Sequence, residues 1–363
     1  MQRLIDSLPF VLALASTPLV GCADSESGDD APTSPNADRY AEALATIDFG
    51  AQVTVIEPDG TTWSGAAGNA AVNEPMNTDH VLLLGSATKM LTTTIVLQLV
   101  DEGALALDDT AAQWVPQLRD DITVRMLLQH ESGMGEYFDS DAMTRDGRAG
   151  VSESWTPAEL IALGQEVGDI GPTNEVFYSN TNFIALGLVI EAITQRTYEA
   201  VLDERIFAPL ELESAGLMMG GDAFPDTLAY GESGALGVVT HEHPSVGWAA
   251  GSAYMSSDDL ARFLVAASHG ELYSDELLAQ QLVPGEWKGD DSPGVDASYG
   301  LGLQMYDIAG TRFDGHLGHV DGFAAAALLD ESTGTTVVAL TNQQDNAVAA
   351  FLALDVLGYD VGM

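Results

Sequence analysis

The sequence predicts an α+β fold, with one sheet assembled from both ends of the chain and a mainly helical subdomain inserted between them. Three observations carry this. Strand-like runs bounded by turn residues lie near both ends, at 52–63 and 302–341. The stretch between them carries apolar residues at helical spacing, broken by loops. Hydrophobic residues make up 46% of 363 positions, enough for a substantial core. Length alone suggests roughly two domains of about 150 residues. The pattern places sheet parts at 39–85 and 296–363 and a helix-rich part at 86–295, within one domain over 39–363.

A helical pattern begins near Arg39-Tyr40. Gln52 to Ile56 reads as a strand, Glu57-Pro58-Asp59-Gly60 as a turn, and Thr61-Thr62-Trp63 as the start of the return strand. After Gly85 the period changes. Met90, Ile95, Val96, Leu99 and Val100 suit a buried helix ending near Gly103, with Ser86 at its start, in the field of the positive end of the backbone dipole. Thr156-Pro157 reads as a cap followed by proline in the first turn. Asn182 to Gln195 is a strongly apolar helix, and Ser256-Ser257-Asp258-Asp259 opens another. Strands are expected at Gly302–Ile308, Phe323–Leu329 and Thr335–Thr341, with a turn at Gly334, and a last helix at Ala347–Leu357.

The formal net charge is −43, from 55 acidic and 12 basic residues. Phosphate contacts need Lys and Arg, so nucleic-acid binding is excluded. A polybasic membrane surface is excluded on the same ground. Self-repulsion of this size favours a soluble monomer. The N-terminus carries its own signal. Met1-Gln2-Arg3 is weakly basic, an apolar stretch runs from Leu8 to Val20, and Leu19-Val20-Gly21 precedes Cys22, the sole cysteine. The apolar run is too short to span a bilayer and fits a signal peptide over 1–21. It resembles a bacterial lipobox, which implies lipidation of Cys22. Residues 23–37 are acidic and rich in Pro and Ser, so 22–38 reads as a lipidated cysteine on a disordered tether. The expected location is the cell envelope, on the outer side of a membrane.

Chemistry concentrates in three short motifs. Ser86 and Lys89, at i and i+3, share one face of a helix. A neutral amine there can take the serine proton, and the resulting alkoxide attacks a carbonyl. Alone the pair is weak: with serine at 23 of 363 positions and two lysines, chance supplies it about one time in eight. Tyr178-Ser179-Asn180 and His316-Leu317-Gly318 follow far downstream. Taken singly, these read as a core tyrosine, a helix cap and an ordinary turn. His130 invites a Ser-His-Asp reading. His241-Glu242-His243 offers two metal-competent side chains without a third histidine or a cysteine close in sequence, and a solvated loop is the plainer reading.

The order and context of these motifs resemble the β-lactamase-related serine hydrolases, which include class C β-lactamases, D-alanyl-D-alanine carboxypeptidases and family VIII-type carboxylesterases. The resemblance runs from about Thr46 to Asn342. It is carried by Leu84-Gly85-Ser86-Ala87-Thr88-Lys89, Leu99 to Gly103, Leu107-Asp108-Asp109, Ile122 to Gly133, Tyr178-Ser179-Asn180, Ala250-Gly251-Ser252 with Asp259-Leu260-Ala261, and His316-Leu317-Gly318. It implies a β-lactamase/transpeptidase-like fold with an antiparallel sheet flanked by helices. It implies Ser86 as nucleophile, Lys89 and Tyr178 as proton carriers, and Asn180 as a hydrogen-bond partner of Lys89 or substrate. His316 falls on the catalytic triplet and Gly318 on the strand beside the site. The N–H groups of Ser86 and His319 form the implied oxyanion hole, Phe323 closes the strand, and His130 has a structural place. For Lys89 to act as a base it must be desolvated or lie near another cation; if charged, it lowers the pKa of the neighbouring phenol instead.

The reading is a serine hydrolase that forms an acyl-enzyme on Ser86 and hydrolyses a small ester, amide or peptide without metal or cofactor. A β-lactamase or strict D-alanyl-D-alanine carboxypeptidase is the alternative. A penicillin-binding envelope receptor without turnover and a metal hydrolase using His241 and His243 are rivals of other classes. In penicillin-recognising members the middle residue of the third motif is usually Thr or Ser, whose hydroxyl binds the substrate carboxylate. Leu317 cannot donate a hydrogen bond, which leaves a carboxylate under-satisfied by ~1–3 kcal/mol. Arg312, four residues before His316, shares its face if that segment is extended and could substitute, but the balance is against it and tilts the reading toward an esterase or a relaxed peptidase.

The leader generates one prediction. A Cys22→Ser variant is released in soluble form or stays uncleaved, read by fractionating cells into membrane and soluble pools; equal membrane retention of variant and wild type contradicts the anchor.

Overall fold

The computed structural model describes residues 34–148, 152–218, 225–231, 243–286, 295–308, 310–343 and 345–359. The chain separates into two units, 1–32 and 33–363, and the second carries the sheet and the helices. The expected leader, Cys22 and most of the tether lie outside the described residues.

Eight strands form one antiparallel sheet: β1 (Ala51–Ile56), β2 (Thr62–Ala67), β3 (Gly285–Glu286), β4 (Val295–Tyr299), β5 (Gln304–Ile308), β6 (Thr311–Val320), β7 (Phe323–Asp330) and β8 (Thr335–Thr341). Their order across the sheet is β2-β1-β8-β7-β6-β5-β4-β3. The N-terminal hairpin thus pairs directly with the last strand, Val53 opposite Ala339, and both ends of the chain build one sheet as expected.

Strand alternation sorts the side chains into two cores. On one face Ala324, Ala326, Leu328, Val337 and Ala339 pack with Tyr40 and Leu44 of α1 (Ala37–Ala45) and Leu352 and Val356 of α5 (Asn346–Leu357). On the other face Phe323, Ala325, Ala327, Val338 and Leu340 join the larger core. That core includes α2 (Thr88–Asp101), α3 (Asn180–Thr194) and α4 (Ser257–Ser268). The alanine run of β7 keeps both layers close. A helix apolar on all sides sits inside a core, and α2 buries every residue from Thr88 to Leu97.

Local signals account for most boundaries. Thr156 caps the helix Pro157–Val167 with a reciprocal Glu159 bond, and Ser256 accepts from the Asp259 N–H to start α4. Gly334 turns between β7 and β8 with φ of +75°. Three expectations shift. The strand expected from Gly302 starts at Gln304, because Gly302 is in the left-handed region, at φ +61°. The helix expected from Asn182 starts at Asn180, with Ser179 in the cap position. The nucleophile segment is a 3₁₀ turn, Gly85–Ala87, from which α2 continues.

β6 also corrects the reading of the third motif. His316 is buried toward the helical side. Leu317 is half-buried against the second core, with Phe313 and the α1/α5 layer. Strand alternation therefore points its side chain away from the helical side, where it cannot meet a substrate carboxylate.

Two glycines let β6 touch the nucleophile turn. A Cβ on Gly85, itself at φ +51°, would lie 2.5 Å from the N and O of His319. A Cβ on Gly318 would lie 1.9 Å from the Leu84 carbonyl oxygen. Both neighbours are backbone and cannot step aside as a side chain could. Gly318→Ala should destabilise the fold by about 1–3 kcal/mol, as overpacked sites do. A thermal melt checks it, and an unchanged melting temperature contradicts the close approach.

Candidate active site

Ser86 is half-buried at the mouth of a cleft, at the N-terminal end of α2. Its Oγ has two side-chain partners. The Lys89 Nζ is 3.0 Å away and the Tyr178 hydroxyl donates from 2.8 Å. Lys89 reaches Ser86 because three residues of helix bring it back over the preceding turn. Tyr178 comes from the loop before α3, and Asn180 is the first residue of that helix.

Lys89 is fully buried, and its surroundings set its protonation. Its Nζ donates to Asn180 Oδ1 at 2.7 Å and to the Ala250 carbonyl at 2.8 Å. Both partners are acceptors only. A neutral amine has two N–H groups, which these acceptors use, and its lone pair then faces Ser86. Burial pushes the amine down to about 7, while the Glu136 carboxylate pulls it back up. Tyr178 moves the other way. Burial pushes the phenol up, and the nearby Glu136 adds to this, against the lowering effect of the Ser86 bond.

Glu136 was not found from sequence. It is half-buried, with its carboxylate turned into the site. The carboxylate accepts three N–H donors: the Asn180 backbone at 2.7 Å, the Asn180 Nδ2 at 2.9 Å and the Phe138 backbone at 3.2 Å. No spacing rule joins residue 136 to residue 180, so only the fold reveals the pair. Its place among Gly135, Tyr137 and other low-polarity residues was the available signal.

The histidines separate by role. His316 is buried, its Nε2 3.0 Å from the Tyr299 hydroxyl and its Nδ1 2.5 Å from the Leu317 carbonyl. Both ring nitrogens of His316, expected as part of the catalytic triplet, are thus engaged by partners other than Ser86. Burial pushes it down to about 3. His130 accepts from the Ser179 N–H at 3.1 Å, lies 3.0 Å from the Asn182 amide, and stacks on Tyr178 with centroids 4.2 Å apart. These are packing contacts that fix the Tyr178 ring. His241 and Glu242 lie outside the described residues. His243 accepts from the Ser245 N–H, and no group of three metal-competent side chains occurs among the described residues.

The backbone donors converge as well. The Leu317 N–H goes to the Gln304 side chain at 2.7 Å, on the side of β6 away from β7. Peptide groups alternate along a strand, so the His319 N–H points to that same side, over Gly85. His319 lines the cleft together with Ser86. The cleft is open to solvent at its mouth. Its walls include Leu83, Phe138, Met218 and Val320, with Asn180 and His243 as polar points. Among the described residues the lining carries no Asp, Glu, Lys or Arg. Arg312 is held by Asp314 at 2.6 and 2.9 Å.

A buried lysine beside a serine, a phenol on the same oxygen and a strand N–H opposite are the parts of an acyl-transfer site. The family comparison agrees. The Beta-lactamase family model matches residues 41–357, and the chain belongs to that family of serine hydrolases of the β-lactamase and penicillin-binding type. Its fold is the β-lactamase/transpeptidase-like one. A D-stereospecific amidohydrolase from Streptomyces sp. superposes with a TM-score of 0.76 at 27% identity, covering 91% of this chain and 100% of that one. The D-amino acid amidase from Ochrobactrum anthropi SV3 complexed with L-phenylalanine gives 0.78 at 26% identity, covering 89% and 98%. A D-aminopeptidase of Brucella anthropi is 28% identical over 69% of this chain and 47% of its own length. The chain spans 40% to 73% of the length of the curated relatives it matches.

The Lys89 environment predicts a pH dependence. The reactive form needs the neutral amine, so labelling of Ser86 by a fluorophosphonate should speed up as pH rises through about 7 and level off above it. A labelling rate that stays flat from about pH 5 to about pH 9 contradicts this.

Proposed function

We propose that this chain hydrolyses a small neutral ester or amide through an acyl-enzyme on Ser86. The observation that carries the reading is the double contact on one oxygen, with Lys89 and Tyr178 at 3.0 and 2.8 Å from Ser86 Oγ. Lys89 accepts the Ser86 proton as Oγ bonds to the substrate carbonyl carbon. The oxyanion develops between the N–H groups of Ser86 and His319. Tyr178, kept a neutral phenol by burial, donates its proton to the departing alcohol or amine and regains one from Lys89. The C–O or C–N bond breaks, leaving the acyl group on Ser86. Water then adds to the ester, losing its proton to the same pair, and the acid leaves as Oγ is reprotonated.

The amide branch draws support from the similar amidohydrolase and amidase structures. The neutral-substrate branch draws support from a cleft lining that is uncharged among the described residues and from the engagement of Arg312 by Asp314. These two features, rather than Leu317, disfavour carboxylate-bearing β-lactams and D-alanyl peptides. His316, buried and bonded to Tyr299, serves in this reading as a support behind the site. The lipid anchor on Cys22 and an envelope location complete the proposal and rest on the leader sequence.

Ser86→Ala should lower kcat/KM on short-chain nitrophenyl esters at least about a thousandfold. Wild-type turnover in that variant contradicts the assignment. A neutral ester should outperform a D-alanyl-D-alanine peptide. A preference of about tenfold or more for the peptide, lost in Arg312→Ala, contradicts the neutral-substrate branch. One stable adduct per chain, with no turnover, would support the receptor reading.

A further inference from the structure

Glu136 has a relation to the site that the proposed mechanism leaves unused. Its Oε2 takes both the backbone N–H and the side-chain Nδ2 of Asn180, at 2.7 and 2.9 Å, and its Oε1 takes the Phe138 N–H. An amide side chain can present either its oxygen or its nitrogen to a neighbour. A carboxylate that binds Nδ2 fixes the choice, so Oδ1 must face Lys89. The reverse orientation would aim N–H groups at the lysine and leave its amine one acceptor short. Glu136 therefore acts on Lys89 through Asn180, and it is also an anionic group facing that buried amine.

We propose that Glu136 is a positioning residue that locks Asn180 in the lysine-accepting orientation and supplies the negative charge that counters the burial of the Lys89 amine. The proposal rests on the Ser86 acyl-enzyme reading for its consequence, but not for its geometry. The groups that face Lys89 come from several elements. Tyr178 lies below it, with the ring centroid 5.0 Å from Nζ, and Phe183 of α3 lies 5.5 Å away. The Ala250 carbonyl comes from the helix Trp248–Gly251. His316 faces it from β6 and His130 from beside α3, and burial drives both imidazoles toward the neutral form. The phenol of Tyr178 is likewise kept neutral. Glu136 is thus the acidic side chain whose charge reaches Lys89. Burial raises the Glu136 carboxyl above its ordinary value, while the three N–H donors on its oxygens and the Lys89 amine pull the other way, toward the ionised form.

The composition makes a direct test practical. The chain holds two lysines, Lys89 and Lys288. In a Lys288→Arg background, full-length protein labelled with ¹⁵N-lysine reports the titration of Lys89 alone by NMR, with no need for turnover. The midpoint should lie at about 7 and fall by about one unit or more in Glu136→Gln, because losing an anion disfavours the ammonium form. The acid limb of kcat/KM should move to lower pH with it. A purely structural role would lower the rate at every pH and leave the midpoint in place, and an unmoved midpoint overturns the proposal. Glu136→Asp keeps the charge but withdraws it by one methylene. It should hold the midpoint within about half a unit of wild type while kcat falls, because the Asn180 lock is stretched. Should Glu136→Gln fail to fold, Glu136→Asp decides alone, and wild-type kcat in that variant overturns the positioning role. Loss of activity in Ser86→Ala with a normal Lys89 titration would confirm that the two readings stand or fall separately.

Discussion

The structure depends on one amine in the wrong solvent. Lys89 is fully buried at the start of a helix whose residues from Thr88 to Leu97 are all buried. Taking an ammonium out of water costs several kcal/mol even after relaxation. The protein meets that cost by making the neutral form habitable rather than by exposing the side chain. Asn180 and Ala250 accept from the amine, and Ser86 Oγ is its third partner, the one its lone pair meets when the amine is neutral. Glu136 stands behind Asn180 and limits how far the amine falls. The result is a base poised near neutrality, which burial alone or a surface ion pair would not give.

The sheet supplies the second requirement, a backbone donor held rigidly opposite the nucleophile. β6 lies in the interior of an eight-stranded sheet, so its peptide groups cannot drift. Its approach to the Gly85–Ala87 turn is closer than any side chain allows, and glycine occupies both contact positions. This explains why both ends of the chain must meet in one sheet. The nucleophile turn follows soon after the N-terminal hairpin, whereas the opposing strand arrives only after residue 310. The helical insertion between them then carries Tyr178, Asn180, Glu136 and Ala250 to the remaining side of Ser86.

Much of this was legible in the residues. The Ser86–Lys89 spacing speaks for itself once the helix is recognised, because it is a local contact. The sheet from both termini followed from strand-like runs at 52–56 and 335–341, which pair residue for residue. Tyr178 and Asn180 became legible only through the resemblance of the whole motif order, since 92 and 91 residues separate them from their partners. Glu136 stayed hidden for the same reason and had no motif to flag it. Leu317 was legible as a residue that cannot donate to a carboxylate, but its face was not: the strand's alternation sends its side chain to the second core. His316 carried a catalytic expectation, and the Tyr299 hydroxyl that occupies its Nε2 comes from a strand seventeen residues away, invisible to pattern.

The central claim is that Ser86 becomes acylated because Lys89 and Tyr178 converge on its oxygen. Acid-quenched mass spectrometry of a reaction with a nitrophenyl ester tests it most directly. The account predicts one acyl group per chain at early times, located by peptide mapping to the segment holding Ser86 and absent from Ser86→Ala. Turnover of the ester with no acyl group on Ser86, or with the group on another residue, would contradict it.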